Sequence, residues 1–100
     1  MAIMMLMEWQ GVTPAQYEQV RKEVHFEFDI PPGGVFHVAA HDPATNTLRV
    51  TDVWANAEDF NKFAETRLIP CTQRLGFPGQ PKIQILPTLN VFAPGYQKTA

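Results

Sequence analysis

His37 and Asp52 are the residues of this sequence best suited to chemistry. They stand inside "HVAAHD" and "RVTDVW", two largely apolar runs that read as strands. A titratable group in such a run needs a partner or a task. The segment between the runs, "DPATNT", has the composition of a turn. If His41 pairs with Leu48 across it, Ala39 opposes Val50, His37 opposes Asp52 and Val35 opposes Trp54. Opposed residues have Cβ atoms about 4.5–5.5 Å apart, so imidazole and carboxylate can hydrogen-bond. A carboxylate beside an imidazole fixes its tautomer and favours the protonated ring. Trp54 on the same face adds a flat apolar wall. His37 then serves as a general base, Asp52 orients it, and Val35, His41, Val50 and Trp54 line a substrate pocket. The same pair can also be structural, fixing strand register or a dimer contact.

A metal site is the obvious rival, because His37, His41 and Asp52 share this face. Spacing opposes it. Two residues four apart along a strand have Cα atoms about 13 Å apart, whereas both imidazoles must come within about 2.1 Å of one zinc ion. No metal and no cofactor is expected. The sequence contains no glycine-rich phosphate loop, nucleophile elbow or paired catalytic carboxylates. His25 is expected at the surface. Tyr17, Phe28 and Cys71 are expected to be core residues.

The elements around the pair follow from local signals. "MAIMMLMEW" is too short to span a bilayer and lacks the basic start of a secretory signal. It reads as a first strand over 3–9, apolar on both sides and so covered on both sides. Thr13, Pro14 and Gln16 form a capping box with proline at the first helical position. Val12 and Tyr17 are spaced for a hydrophobic staple. Tyr17, Val20, Val24 and Phe28 form the helix's apolar stripe, which "DIPPGG" ends. Strands over 35–41 and 48–54 follow. Asn56 caps a second helix with Asp59 in its first turn. Phe60, Phe63, Ala64, Arg67, Leu68 and Leu75 share a face of it, and Pro70 is expected to break it near residues 66–69. A last strand is expected over 83–92, with Pro87 marking a bulge or an edge, and the tail "GYQKTA" is expected to be loose.

This order predicts a ferredoxin-like βαββαβ sandwich, an α+β fold with a four-stranded antiparallel sheet. One hundred residues, 45% of them apolar, suit one such domain over 1–100. Two helices cover one face of the sheet, yet the other face is apolar too. Leaving it wet would forgo about 1.5–3 kcal/mol per large side chain. A homodimer with two sheets packed face to face is therefore expected. The face with Phe36, Val38 and Ala40 suits the helices, which leaves His37, Asp52 and Trp54 pointing into the space between the sheets. A net charge of −2 without a basic run excludes a nucleic-acid backbone partner, and no membrane association is expected. A lone cysteine, Cys71, fits a reducing cytoplasm.

The stretch "RVTDVWANAEDFNKF" joins a strand ending in Trp to an Asn cap, acidic residues and a Phe-rich helix. With "PPGGVFHVAAHD" and "LPTLNVF", it resembles the antibiotic biosynthesis monooxygenase-like group of the dimeric α+β barrel superfamily. The resemblance implies a homodimer whose sheets enclose a ligand cavity. It also implies oxygenation of small aromatic substrates without flavin or metal, the substrate donating electrons to dioxygen. Relatives cyclise polyketides or isomerise small acids. Haem-degrading members pair the Trp of this motif with a His on the following helix. Trp54 matches the first, but the helix after it has no histidine. The expected function is thus a cofactor-independent monooxygenase-like enzyme for a small aromatic or enolisable substrate. A cyclase or isomerase using the same pair, or a non-catalytic dimeric small-ligand-binding or stress-associated protein, are the alternatives.

Overall fold

The computed structural model describes residues 1–95; the expectation for the tail falls, beyond Gly95, outside the described residues. The elements are β1 (Ile3–Gln10), α1 (Pro14–Val24), β2 (Gly34–Asp42), β3 (Thr47–Trp54), α2 (Ala57–Phe63), a π-helical turn (Ala64–Leu68), α3 (Ile69–Arg74) and β4 (Lys82–Pro87). The strands form one antiparallel sheet in the order β2-β3-β1-β4, the ferredoxin-like arrangement.

Capping chemistry starts both helical segments. The Thr13 hydroxyl accepts from the Gln16 amide, and the Gln16 carboxamide accepts from the Thr13 amide. The Asn56 side chain accepts from the Asp59 amide at 2.8 Å. Helix α1 stops earlier than its apolar stripe suggests. His25 turns into the left-handed region at φ 62°, and its amide still reaches Arg21 O. Arg67 then donates to both Val24 O and Asp29 O, capping the helix end and pinning the loop that follows. The stripe is therefore Tyr17, Val20 and Val24. Phe28 lies outside the helix and is 76% exposed, not core. His25 is exposed, as its position on the flank of the stripe implies.

Pro70 distorts the second helical segment without ending it. Proline has no amide hydrogen for Thr66 O, and its ring crowds that carbonyl. The chain answers with a π-helical turn, in which the Ile69 amide reaches back to Ala64 O. β4 is shorter than expected. Pro87 sits at its end on a sheet edge, and 88–92 leave the sheet after Thr88 makes two hydrogen bonds to Ala2 O.

The register of β2 and β3 is the one inferred from the turn. His41 faces Leu48, Ala39 faces Val50 and His37 faces Asp52. It fails in one place. Gly34, not Val35, faces Trp54, because Val35 is an extra residue in a bulge.

Which side of the sheet meets the helices is the reverse of the expectation. Met5, Met7, Trp9, Leu48, Val50, Asp52 and Trp54 are buried beneath them with Val20, Val24, Phe60 and Phe63. Val38 and Ala40, expected under the helices, lie on the other side with Met4, Leu6, Thr51 and Val53. β1 accordingly alternates, with its second side only half-buried within the one chain. Glu8, Arg49 and Asp42 form an ion-pair group on that open side. Three charged groups there are solvated, whereas under two helices they would lose hydration at large cost.

Candidate active site

His37 on β2 and Asp52 on β3 meet where the register places them. His37 Nδ1 lies 2.6 Å from Asp52 Oδ1. The other carboxylate oxygen accepts from Trp54 Nε1 at 3.1 Å. Asp52 is thus buried and held by two donors. A carboxylate only accepts, so His37 Nδ1 carries its hydrogen, and in the neutral ring Nε2 presents a lone pair. That lone pair meets the Tyr17 hydroxyl at 2.7 Å. The phenol donates and the imidazole accepts.

The result is a chain Tyr17–His37–Asp52–Trp54 joining α1 to β2 and β3. Phe26 sets its ring edge-on against His37 with centroids 4.9 Å apart. Trp54 packs against Phe60 and Phe63 at 5.6 and 5.3 Å. The imidazole is therefore fixed in plane and in tautomer. Burial pushes the Tyr17 phenol up to about 12; nearby Arg21 opposes this, and Glu27, Glu18 and Asp52 reinforce it.

These groups border a cavity of about 370 Å³ between the helices and the sheet. Met5, Met7, Val20, Val24, Leu48, Phe60, Phe63 and Phe77 make most of its wall, and the polar chain lies at one side. Exposed Ile30 and Val35 belong to the lining and mark its mouth. The loop there is kept in place by Arg67 and by Gly33. Gly33 has φ +83°, and a Cβ on it would come 2.3 Å from Asp59 Oδ2.

Of the residues expected at the pocket, the structure brings His37, Asp52, Trp54, Val35 and Val50 to one cavity. His41 is not in its lining; it lies at the far end of β2 with Nε2 2.8 Å from Asn46 Oδ1. The cavity itself lies between helices and sheet of a single chain, not between two sheets, since the polar residues are on the helix side. Tyr17 is the group the sequence reading passes over. Its place in an apolar helical stripe gives a core residue. The remaining signal is its hydroxyl, which needs a partner when buried.

Cys71 is buried with Sγ 3.6 Å from Glu23, and burial pushes its thiol up, as for an unreactive core cysteine. Residues 57–74 hold no histidine, so the Trp–His arrangement of haem-degrading enzymes does not fit this chain. Among the described residues no three His, Cys, Asp or Glu side chains converge as metal ligands, and no helix is long and apolar enough to cross a membrane.

No family model and no curated protein matches the sequence. Solved structures do match. SnoaB, a cofactor-independent oxygenase from Streptomyces nogalater, is 17% identical, with a TM-score of 0.64 over 90% of this chain and 94% of that chain. A Nitrosomonas europaea protein of unknown function is 12% identical, with a TM-score of 0.72 over 95% of this chain and 96% of that one. A Caulobacter crescentus protein provisionally assigned as an antibiotic biosynthesis monooxygenase is 16% identical, with a TM-score of 0.69 over 89% and 91%. At these identities the likeness is one of fold: this chain has the ferredoxin-like α+β fold of the antibiotic biosynthesis monooxygenase-like proteins.

Proposed function

We propose that this protein is a cofactor-independent monooxygenase-like enzyme. Its substrate is a small aromatic or enolisable molecule held between the helices and the sheet. The observation that carries this reading is the 2.6 Å His37–Asp52 pair at the wall of a mostly apolar cavity of about 370 Å³. An apolar pocket with a few convergent polar groups is the ordinary form of a small-molecule site. The oxygenase SnoaB shares the fold.

His37 is the base that removes a proton from a phenolic or enolisable substrate. Asp52 holds the tautomer and offsets the charge of the imidazolium. Trp54 fixes the second carboxylate oxygen and gives the cavity an aromatic wall. The substrate anion is electron-rich and reacts with dioxygen. One oxygen atom enters the substrate as a carbonyl and the other leaves as water, the electrons coming from the substrate carbon. The test is oxygen uptake with a panel of hydroxylated two- and three-ring aromatics. Wild type consumes oxygen with at least one of them, and His37→Ala, folded to the same extent, loses about 10²-fold or more. Equal turnover by the variant refutes the role of His37.

The open side of the sheet supports a homodimer. Val38 is 48% exposed and Leu86 is 38% exposed there, beside Met4, Leu6 and Val53. A second copy packed sheet to sheet removes this patch from water. The dimer leaves the cavity on the other side of each sheet, so each chain carries its own site. A free, buried Cys71 suits a reducing cytoplasm.

One observation favours the non-catalytic reading. His37 Nε2 is already occupied by the Tyr17 hydroxyl, and a fully paired imidazole can be purely structural. A binding protein built this way would hold the same aromatics without consuming oxygen.

A further inference from the structure

His37 has no free nitrogen to offer a ligand. Nδ1–H is spent on Asp52 and the Nε2 lone pair on Tyr17. A substrate reaches Nε2 only by expelling the phenol. The Tyr17 oxygen differs, because a hydroxyl has one hydrogen and two lone pairs. Its hydrogen goes to His37, which leaves acceptor capacity for a ligand. Tyr17 and His37 both belong to the cavity lining.

We infer that Tyr17 is a catalytic residue: the substrate hydroxyl docks on the Tyr17 oxygen, and its proton reaches His37 through the phenol. This rests on the reading of the cavity as an active site with His37 as base. The step balances without electron transfer between residues. The substrate O–H bond breaks and a new Tyr17 O–H forms. The old Tyr17 O–H breaks and Nε2–H forms. The products are a substrate anion and an imidazolium against Asp52. Polarity at the phenol reverses in the same step. Before transfer Tyr17 accepts from the substrate hydroxyl; afterwards it donates to the substrate anion. One side chain thus binds the neutral substrate and stabilises its conjugate base. With its phenol pushed up to about 12 by burial, Tyr17 rests neutral and passes a proton on without storing negative charge.

The lining narrows the substrate class further. Among the described residues it contains no lysine or arginine, while Glu27 and Asp52 both belong to it. Glu27 accepts from Arg21 at 2.7 Å, and Arg21 itself is not in the lining. A substrate carboxylate would find no cation in the lining and would lose its hydration. The site therefore takes an uncharged phenol or enol with an apolar body, and the isomerisation of small acids does not suit it.

The test uses the full-length protein and 4-nitrophenol, whose anion absorbs at longer wavelength than the neutral phenol, at a pH where the free probe is mostly neutral. Wild type binds the probe and shows the anion band. Tyr17→Phe keeps the affinity within about threefold but loses about tenfold or more of the anion fraction. His37→Gln loses it as well. Replacing Tyr17 by 3-fluorotyrosine, which keeps the hydroxyl, restores the band, as a merely space-filling role would not require. If Tyr17→Phe folds poorly, Tyr17→Met, which also lacks the hydroxyl, takes its place with the same two outcomes. A Tyr17→Phe protein that retains the band while His37→Gln loses it overturns the relay and leaves His37 as the direct base. A band that survives His37→Gln, or no binding to wild type, overturns the active-site reading and the relay with it.

Discussion

Asp52 receives the hydrogens of both His37 Nδ1 and Trp54 Nε1, at 2.6 and 3.1 Å, from a position buried beneath the helices. It is the fixed point from which the tautomer of His37, and so the direction of the Tyr17 hydroxyl, follows.

Replacement of Asp52 separates its two duties. Asp52→Ala strands two buried donors, each costing about 1–3 kcal/mol, so chemical denaturation detects a clear loss of stability. Asp52→Asn keeps one acceptor oxygen, enough for Trp54 Nε1–H, but turns an NH2 group on His37, which can pair with it only in the other tautomer. The variant therefore keeps more stability than Asp52→Ala, yet loses both the tautomer and the charge that offsets the imidazolium. Oxygen uptake by a folded Asp52→Asn protein falls about 10²-fold or more. Unchanged uptake means that the carboxylate is structural.

Tyr17 gives the protein an alkaline signature. Its phenol ionises near the usual 10 when unfolded and near 12 when folded. Below 10 the phenol is neutral in both states and the stabilisation is complete. Between 10 and 12 the unfolded state sheds its proton first, so stability falls as pH rises. Denaturant midpoints across this range decline more steeply for wild type than for Tyr17→Phe. Parallel curves contradict the burial of the phenol.

Two glycines with positive φ differ in their surroundings. Gly33 has φ +83° and would place a Cβ against Asp59, whereas Gly79 has φ +57° and nothing within 4 Å. Gly79→Ala bears only the left-handed backbone penalty, about 1–2 kcal/mol. Gly33→Ala adds a clash with a side chain of the α2 N-terminus and loosens the loop at the cavity mouth. Thermal unfolding ranks Gly33→Ala well below Gly79→Ala; equal midpoints would show that Asp59 yields freely.

The open side of the sheet makes a separate prediction. Sedimentation of wild type gives the mass of two chains, and Val38→Lys gives the mass of one with cavity ligands still bound. A monomeric wild type would sink the sheet-to-sheet dimer.

The pairing of His37 with Asp52 was legible because turn composition sets the loop and strand parity does the rest. The side of the sheet was not, because β2 is apolar on both sides: Val38 and Ala40 on one, Ala39 with the bulged Val35 near the other. The deciding signal lies elsewhere in the sequence. Arg49 and Glu8 share their parity with Thr51, Val53, Met4 and Leu6, and paired surface charges mark the side away from the helices. Asp52 has the opposite parity and had to face them. The bulge at Val35 and the early stop at His25 were hidden for another reason. Both depend on tertiary partners, the packing around Gly34 and the guanidinium of Arg67, that no local pattern carries.

The most direct measurement is a crystal structure of the protein soaked with 1-naphthol. The rings are expected between α1, α2 and the sheet, with the hydroxyl within hydrogen-bonding distance of the Tyr17 oxygen and the Asp52 contacts intact. Naphthol bound on the open side of the sheet, or nowhere while the helix-side cavity stands empty, would contradict it.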